Sequence, residues 1–236
     1  MRYQKFILFC SIFILVSCAE LQNVVNTLPS GQVGTDPTMI ANGLRQALNF
    51  GIDKQVTKLT QKDGFYKNKL VKILLPEELQ KVDQTLRDIG LGSLADEGLK
   101  AMNRAAEDAV KEATPIFVNA VKEITFADAK NILLGPDNAA TNYLQNKANN
   151  KLYAKFNPVI QNSFSKVGAD RIWTNIITKY NAVPFVNKVN PDLTDYVTNE
   201  ALKGVYTMIG VEEKKIRNSV QFRTTSLLRQ VFALQD

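Results

Sequence analysis

Apolar residues in this chain return every three or four positions over most of its length, which is the spacing of one face of an α-helix. The longest such run lies between Ser93 and Ile124, where Leu94, Leu99, Met102, Ala106, Ala109, Ala113, Phe117, Ala120, Val121 and Ile124 keep phase. A face that is apolar throughout has to be covered by neighbours, so this run is expected to form the central post of a helical fold. The only extended-looking run, Leu70 to Leu75 ahead of Pro76, has no second strand to pair with and reads as a strap. The chain is therefore expected to be all-α, a single irregular bundle of about eight helices.

Punctuation residues place the ends of those helices. Asp36-Pro37 starts the first, and Asp63-Gly64 stops it; Pro76-Glu77-Glu78 opens the second, and Gly90 closes it. Ser93 is the expected N-cap of the post, with a kink or break after Ala113 because Pro115 removes a hydrogen bond and crowds the turn before it. Thr125-Phe126-Ala127-Asp128 has the spacing of a capping box, with Asp in place of the usual Glu. Asp137 or Asn138 caps a long helix that reaches Gly168 with a second kink at Pro158. Ile172, Trp173, Ile176, Ile177 and Tyr180 mark another helix, and Asp192 begins one that carries Leu193, Val197, Ala201, Val205 and Ile209. The tail from Val211 is read as a charged turn, Glu212 to Arg217, before Leu227, Leu228, Val231 and Phe232.

The first residues carry a different signal. Arg2 and Lys5 precede an apolar run from Phe6 to Val16, which suits a secretory leader and is too short for a permanent span. Leu15-Val16-Ser17-Cys18 then resembles the bacterial lipobox, which implies cleavage before Cys18 and acylation of its thiol and new amino terminus. Residues 1–17 are thus expected to be a lipoprotein signal peptide. Residues 18–36, with Pro29, Gly31 and Gly34, would form a lipidated tether, and residues 37–236 the helical domain. Two or three acyl chains hold a protein at a bilayer durably where one does so marginally. Ala19, and not Asp, follows the Cys, which favours an outer membrane over an inner one in a two-membrane cell.

Composition narrows the chemistry. Loss of the leader removes Arg2 and Lys5 and no acidic residue, lowering the net charge from +6 to +4, with Lys and Arg interleaved with Asp and Glu. No clustered basic face is visible, so nucleic acid is not an expected partner. The chain has no His, and its two Cys are Cys10 in the leader and Cys18. Histidine general bases, Ser-His and Cys-His nucleophiles, thiolate chemistry and His or Cys metal ligation are all removed, and no metal or cofactor is expected. Gly90-Leu91-Gly92-Ser93-Leu94-Ala95 fits a dinucleotide-loop pattern but follows a helix where that loop follows a strand. Ser163-Phe164-Ser165-Lys166 fits the Ser-x-x-Lys of penicillin-binding enzymes without that family's companion elements or sheet. Glu77-Glu78 and Glu212-Glu213 are adjacent on their helices, point in different directions, and read as solvated faces or dipole partners.

The remaining candidate is a polar cluster on the post. Asn103, Arg104 and Glu107 occupy adjacent turns, and any that face inward require partners, for which Asp128, Thr141 and Tyr143 on the following helices are candidates. The cluster is read as a clamp that fixes helix register in preference to a ligand pocket. The favoured function is a non-enzymatic envelope lipoprotein that binds an envelope protein or a small ligand. The alternative is an envelope enzyme using carboxylate or Lys chemistry, with Glu107, Asp128 and Arg104 as its group.

Met102-Asn103-Arg104-Ala105-Ala106-Glu107, Thr125-Phe126-Ala127-Asp128-Ala129, Ala139-Ala140-Thr141-Asn142-Tyr143, Asp195-Tyr196-Val197-Thr198 and Thr224-Thr225-Ser226-Leu227-Leu228 with Val231-Phe232 together resemble a bacterial family of exported helical proteins, domain-of-unknown-function family 4197. The resemblance spans nearly all of the mature chain. Leu74 stands where that family tends to have Pro, and Lys203 where it tends to have Asp. It implies a helical fold and an exported location, and no established activity.

Overall fold

The computed structural model describes residues 36–236 except 89, 91, 169, 171–173, 175–177, 179–180, 183, 186–187, 189–191 and 236. Cys18 and the leader and tether expected around it lie outside the described residues, as does most of the helix expected over Ile172 to Tyr180. The rest forms eight bounded α-helices and one 3-10 turn, with no sheet among the described residues.

Helix α1 (Pro37–Thr60) starts at Pro37, whose missing N–H is no loss in a first turn. Ile40, Leu44, Leu48, Ile52, Val56 and Leu59 are buried along it at four- and three-residue steps. Helix α2 (Glu77–Asp88) follows Pro76 and ends before Gly90, which takes the left-handed conformation with φ 79°. Helix α3 (Gly92–Val110) buries Met102, Ala105, Ala106, Ala109 and Val110 almost completely and packs on α1, α2 and two later helices.

The expected post does break, but earlier than its sequence suggests. Helix α4 (Ala113–Lys122) begins at Ala113, and Lys111 and Glu112 form the turn between the halves, donating to the carbonyls of Asp108 and Ala109. Pro115 becomes the third residue of a new helix, a place where no N–H has an intrahelical partner to lose. The interruption therefore moves to the residues before the ring, where the Lys111 carbonyl no longer has to accept from it. Phe117 of α4 is fully buried.

Helix α5 (Phe126–Leu133) opens on the expected capping box: Asp128 N–H donates to Thr125 Oγ1 and Thr125 N–H to Asp128 Oδ2 at 2.9 Å. Helix α6 (Ala139–Val167) runs unbroken through Pro158 and stops at Gly168, φ 67°. Helix α7 (Leu193–Asn218) starts on Asp192, whose Oδ1 accepts from the N–H groups of Thr194 and Asp195. A 3-10 turn (Val220–Phe222) leads to helix α8 (Ser226–Phe232), capped by Thr225 and packed on α1. Gly43 admits that last helix, because a Cβ there would lie 2.4 Å from Val231 Cγ2.

The expected charged turn after Val211 is not a turn. Helix α7 continues through it to Asn218, and Glu212, Glu213 and Arg217 are 1%, 8% and 6% exposed. These positions continue the buried phase of Val205 and Ile209, so the helix carries them into the interior, where each meets a partner. The reading of Glu212-Glu213 as a solvated face is thereby corrected.

Candidate functional site

Between α1 and α2 the chain crosses the molecule as the strap, and the polar residues of α3 hold it there. Val71, Ile73 and Leu75 point inward while Leu70 and Leu74 are 64% and 57% exposed, the alternation of an extended strand. A lone strand leaves its peptide groups without a ladder. Asn103, fully buried, replaces the missing neighbour: its Oδ1 accepts from Ile73 N–H at 2.8 Å, and its Nδ2 donates to Ile73 carbonyl at 2.9 Å and to Leu99 carbonyl at 2.8 Å. One carboxamide thus satisfies both backbone groups of the strap's central residue and one carbonyl of its own helix.

One turn further along α3, Glu107 receives the bend that follows α1. It is 3% exposed, and its carboxylate accepts from Phe65 N–H at 3.2 Å, from Asp63 N–H at 3.3 Å and from Arg104 Nη1 at 2.8 Å. Arg104 Nη2 donates to Asp63 Oδ1 at 2.6 Å, so the guanidinium bridges two carboxylates. Asp63 has φ 69°, a left-handed conformation that costs a side-chain-bearing residue roughly 1–2 kcal/mol and is offset here by those bonds. Gly64 follows because a Cβ there would lie 2.4 Å from the Leu59 carbonyl oxygen. A hydrogen bond from Lys67, with Arg104 adding its charge, holds the Asp63 carboxyl below its ordinary value.

The strap is gripped from α7 as well. Phe65 is fully buried against Gly204, where a Cβ would come within 2.7 Å of the Phe65 ring, and Tyr196 donates its hydroxyl hydrogen to Leu74 carbonyl at 2.9 Å.

Asp128, Thr141 and Tyr143 lie elsewhere. Asp128 is committed to its capping box, and the Thr125 N–H is the main reason its carboxyl sits low. Tyr143 has its hydroxyl buried with no hydrogen-bond partner among the described residues; burial, with Asp128 and Glu123 adding negative charge, raises its pKa. Thr141 belongs to a second buried network that sequence reasoning missed. Its N–H and hydroxyl donate to Glu213 Oε2 at 2.8 and 2.7 Å, while Ala140 N–H donates to Oε1 at 2.9 Å. Glu213 of α7 therefore caps the N-terminus of α6, a task that the N-cap residue Asn138 leaves undone.

Arg217, one turn on, pairs with Glu213 at 2.9 Å and donates to the carbonyls of Ile132 and Leu133 at 2.7 and 3.1 Å, closing the C-terminus of α5. Glu212 is bonded by Lys54 and by Gln55 Nε2 of α1, and Arg223 donates to the carbonyls of Ile216 and Arg217. The signal that could have found these residues is the apolar phase of α7, extended without a stop past Ile209.

Chemically, the buried carboxylates are occupied. Glu107 and Glu213 each accept from backbone N–H groups and from an Arg, which leaves them anchored in the fold. Glu107 and Asp128, the carboxylates grouped with Arg104, do not converge: Arg104 meets Asp63 and Glu107, and Asp128 meets Thr125. Among the described residues no group of three His, Cys, Asp or Glu is placed to hold a metal ion, and no helix is long and apolar enough to cross a membrane.

No curated protein and no solved structure matches the chain. A family model described as a protein of unknown function, DUF4197, matches residues 34–233, which takes in every helix described above. The chain belongs to the DUF4197 family.

Proposed function

We propose that the protein is an envelope lipoprotein, held at a membrane through acyl chains on Cys18, whose helical domain binds a partner or ligand without turning it over. Leu15-Val16-Ser17-Cys18 behind a basic, then apolar, leader supports the anchor, and Ala19 favours the outer membrane. The observation that supports the binding half is the engagement of Asn103, Arg104, Glu107 and Glu213 by backbone groups and neighbouring side chains. Acid-base work requires a carboxyl free to exchange its proton with a substrate, and these are committed to holding the fold.

The anchor is tested by expressing the full chain with and without Cys18→Ser and fractionating the cells. The wild type is expected with the membranes at the mass of an acylated, leader-free chain, and the variant in the soluble fraction without the acyl mass. Membrane retention of the variant at an unchanged mass would overturn the reading.

A further inference from the structure

Helix α6 has an unusual surface. Its 29 residues include six Asn, two Gln and four Lys, and no acidic residue. Asn is a poor interior residue for a helix because its side chain competes for the backbone, and exposed helix positions are ordinarily filled with charges of both signs. Asn142, Asn146 and Asn150 are all exposed and four positions apart, which sets three carboxamides along one line about 6 Å from each other. Their side chains, with those of Gln145 and Asn149 beside them, make no hydrogen bond to other described residues, in contrast to Asn103, whose carboxamide is saturated.

Gln145 and Asn149 also form one wall of a groove of about 500 Å³ between α6 and α7, faced by Asn199 and Lys203. Its floor includes Tyr206, whose hydroxyl is buried with no hydrogen-bond partner among the described residues. Thr141, at the head of the groove, has its hydroxyl hydrogen committed to Glu213 and keeps a lone pair.

We propose that this face of α6 and the groove beside it bind a glycan strand bearing hydroxyl and acetamido groups. The proposal rests on the reading of the domain as a binding module and does not depend on the anchor. A carboxamide offers two donors and an acceptor in one plane and carries no charge to desolvate, which suits a neutral ligand whose own groups are donors and acceptors in near-equal number. A phosphate polymer would be met by cations, whereas the outward line of α6 is uncharged, and Lys147, Lys151 and Lys155 follow a separate register along the helix.

The test is calorimetric titration of the full chain with a hexamer of N-acetylglucosamine and, separately, with inorganic polyphosphate, for the wild type and for Gln145→Ala/Asn149→Ala. The expected result is saturable binding of the hexamer, weakened at least tenfold in the variant, whose melting temperature does not fall because Ala is the better helix former. Hexamer binding that the variant leaves unchanged would overturn the assignment to this groove. Binding of polyphosphate alone would overturn the glycan in favour of an anion surface. Binding of neither sinks the glycan proposal and leaves the binding-module reading to another face, which separates the two failures.

Discussion

A carboxamide is the side chain that most closely copies a peptide group, and Asn103 uses that likeness to stand in for a strand. Asn103→Leu keeps the branching at Cγ and removes all three hydrogen bonds, leaving the N–H and the carbonyl of Ile73 buried without partners. At about 1–3 kcal/mol for each orphaned group, the loss is expected to be roughly 2–6 kcal/mol, read as a lower urea midpoint at unchanged slope. Hydrogen exchange at Ile73 should quicken before global unfolding does; an unaffected Ile73 amide would show that the strap is held by its apolar contacts alone. The inward polar residues of α3 were legible in the sequence from their place beside an apolar face. Their partners were not, because Ile73, Leu99, Asp63 and Phe65 mostly answer with backbone atoms, and a peptide group has no residue type to announce it.

Helix ends show the same division between what residue patterns disclose and what they hide. The capping box at Thr125 and the start at Asp192 are local, contained within four residues, and both were readable. The cap on α6 is supplied by Glu213 from 73 positions away, and only a fold can bring it there. The charges of Glu212 to Arg217 read as surface because charged residues are seldom buried without partners, and the partners are helix termini on other elements. Replacing Glu213 with Gln puts an amide donor among donors from Ala140, Thr141 and Arg217, and roughly 3–5 kcal/mol should be lost. Ordinary buried ion pairs can often be exchanged for apolar residues at little cost. Here Glu213→Leu/Arg217→Met is expected to recover almost nothing over the single variants, since the N–H groups of α6 and the carbonyls of α5 remain uncovered; thermal unfolding of the three variants, arranged as a double-mutant cycle, checks this.

At the scale of the whole domain, titration should bound the stable range from both sides. The carboxyls of Asp63, Asp96 and Asp128 sit below their ordinary 3.8, held by Lys67, by Arg87 and by the Thr125 N–H respectively. Their contribution is complete above that value and is lost as pH falls through the lower folded values, because the unfolded chain takes up protons first. The buried phenols of Tyr143 and Tyr206 are shifted upward from 10.0, so their contribution is complete below that value and is lost as pH rises past it. Circular dichroism melts across pH should therefore show a plateau with an acid and an alkaline limb. Asp63→Asn should flatten the first and Tyr206→Phe the second, and limbs unchanged in these variants would assign the titration to other groups. One turn of α7 closes two other helices, reaching back 73 positions to Ala140 and 84 to Leu133. A ribosome delivers that turn after both of the helices it closes, so in a nascent chain α5 and α6 wait with open ends until α7 emerges.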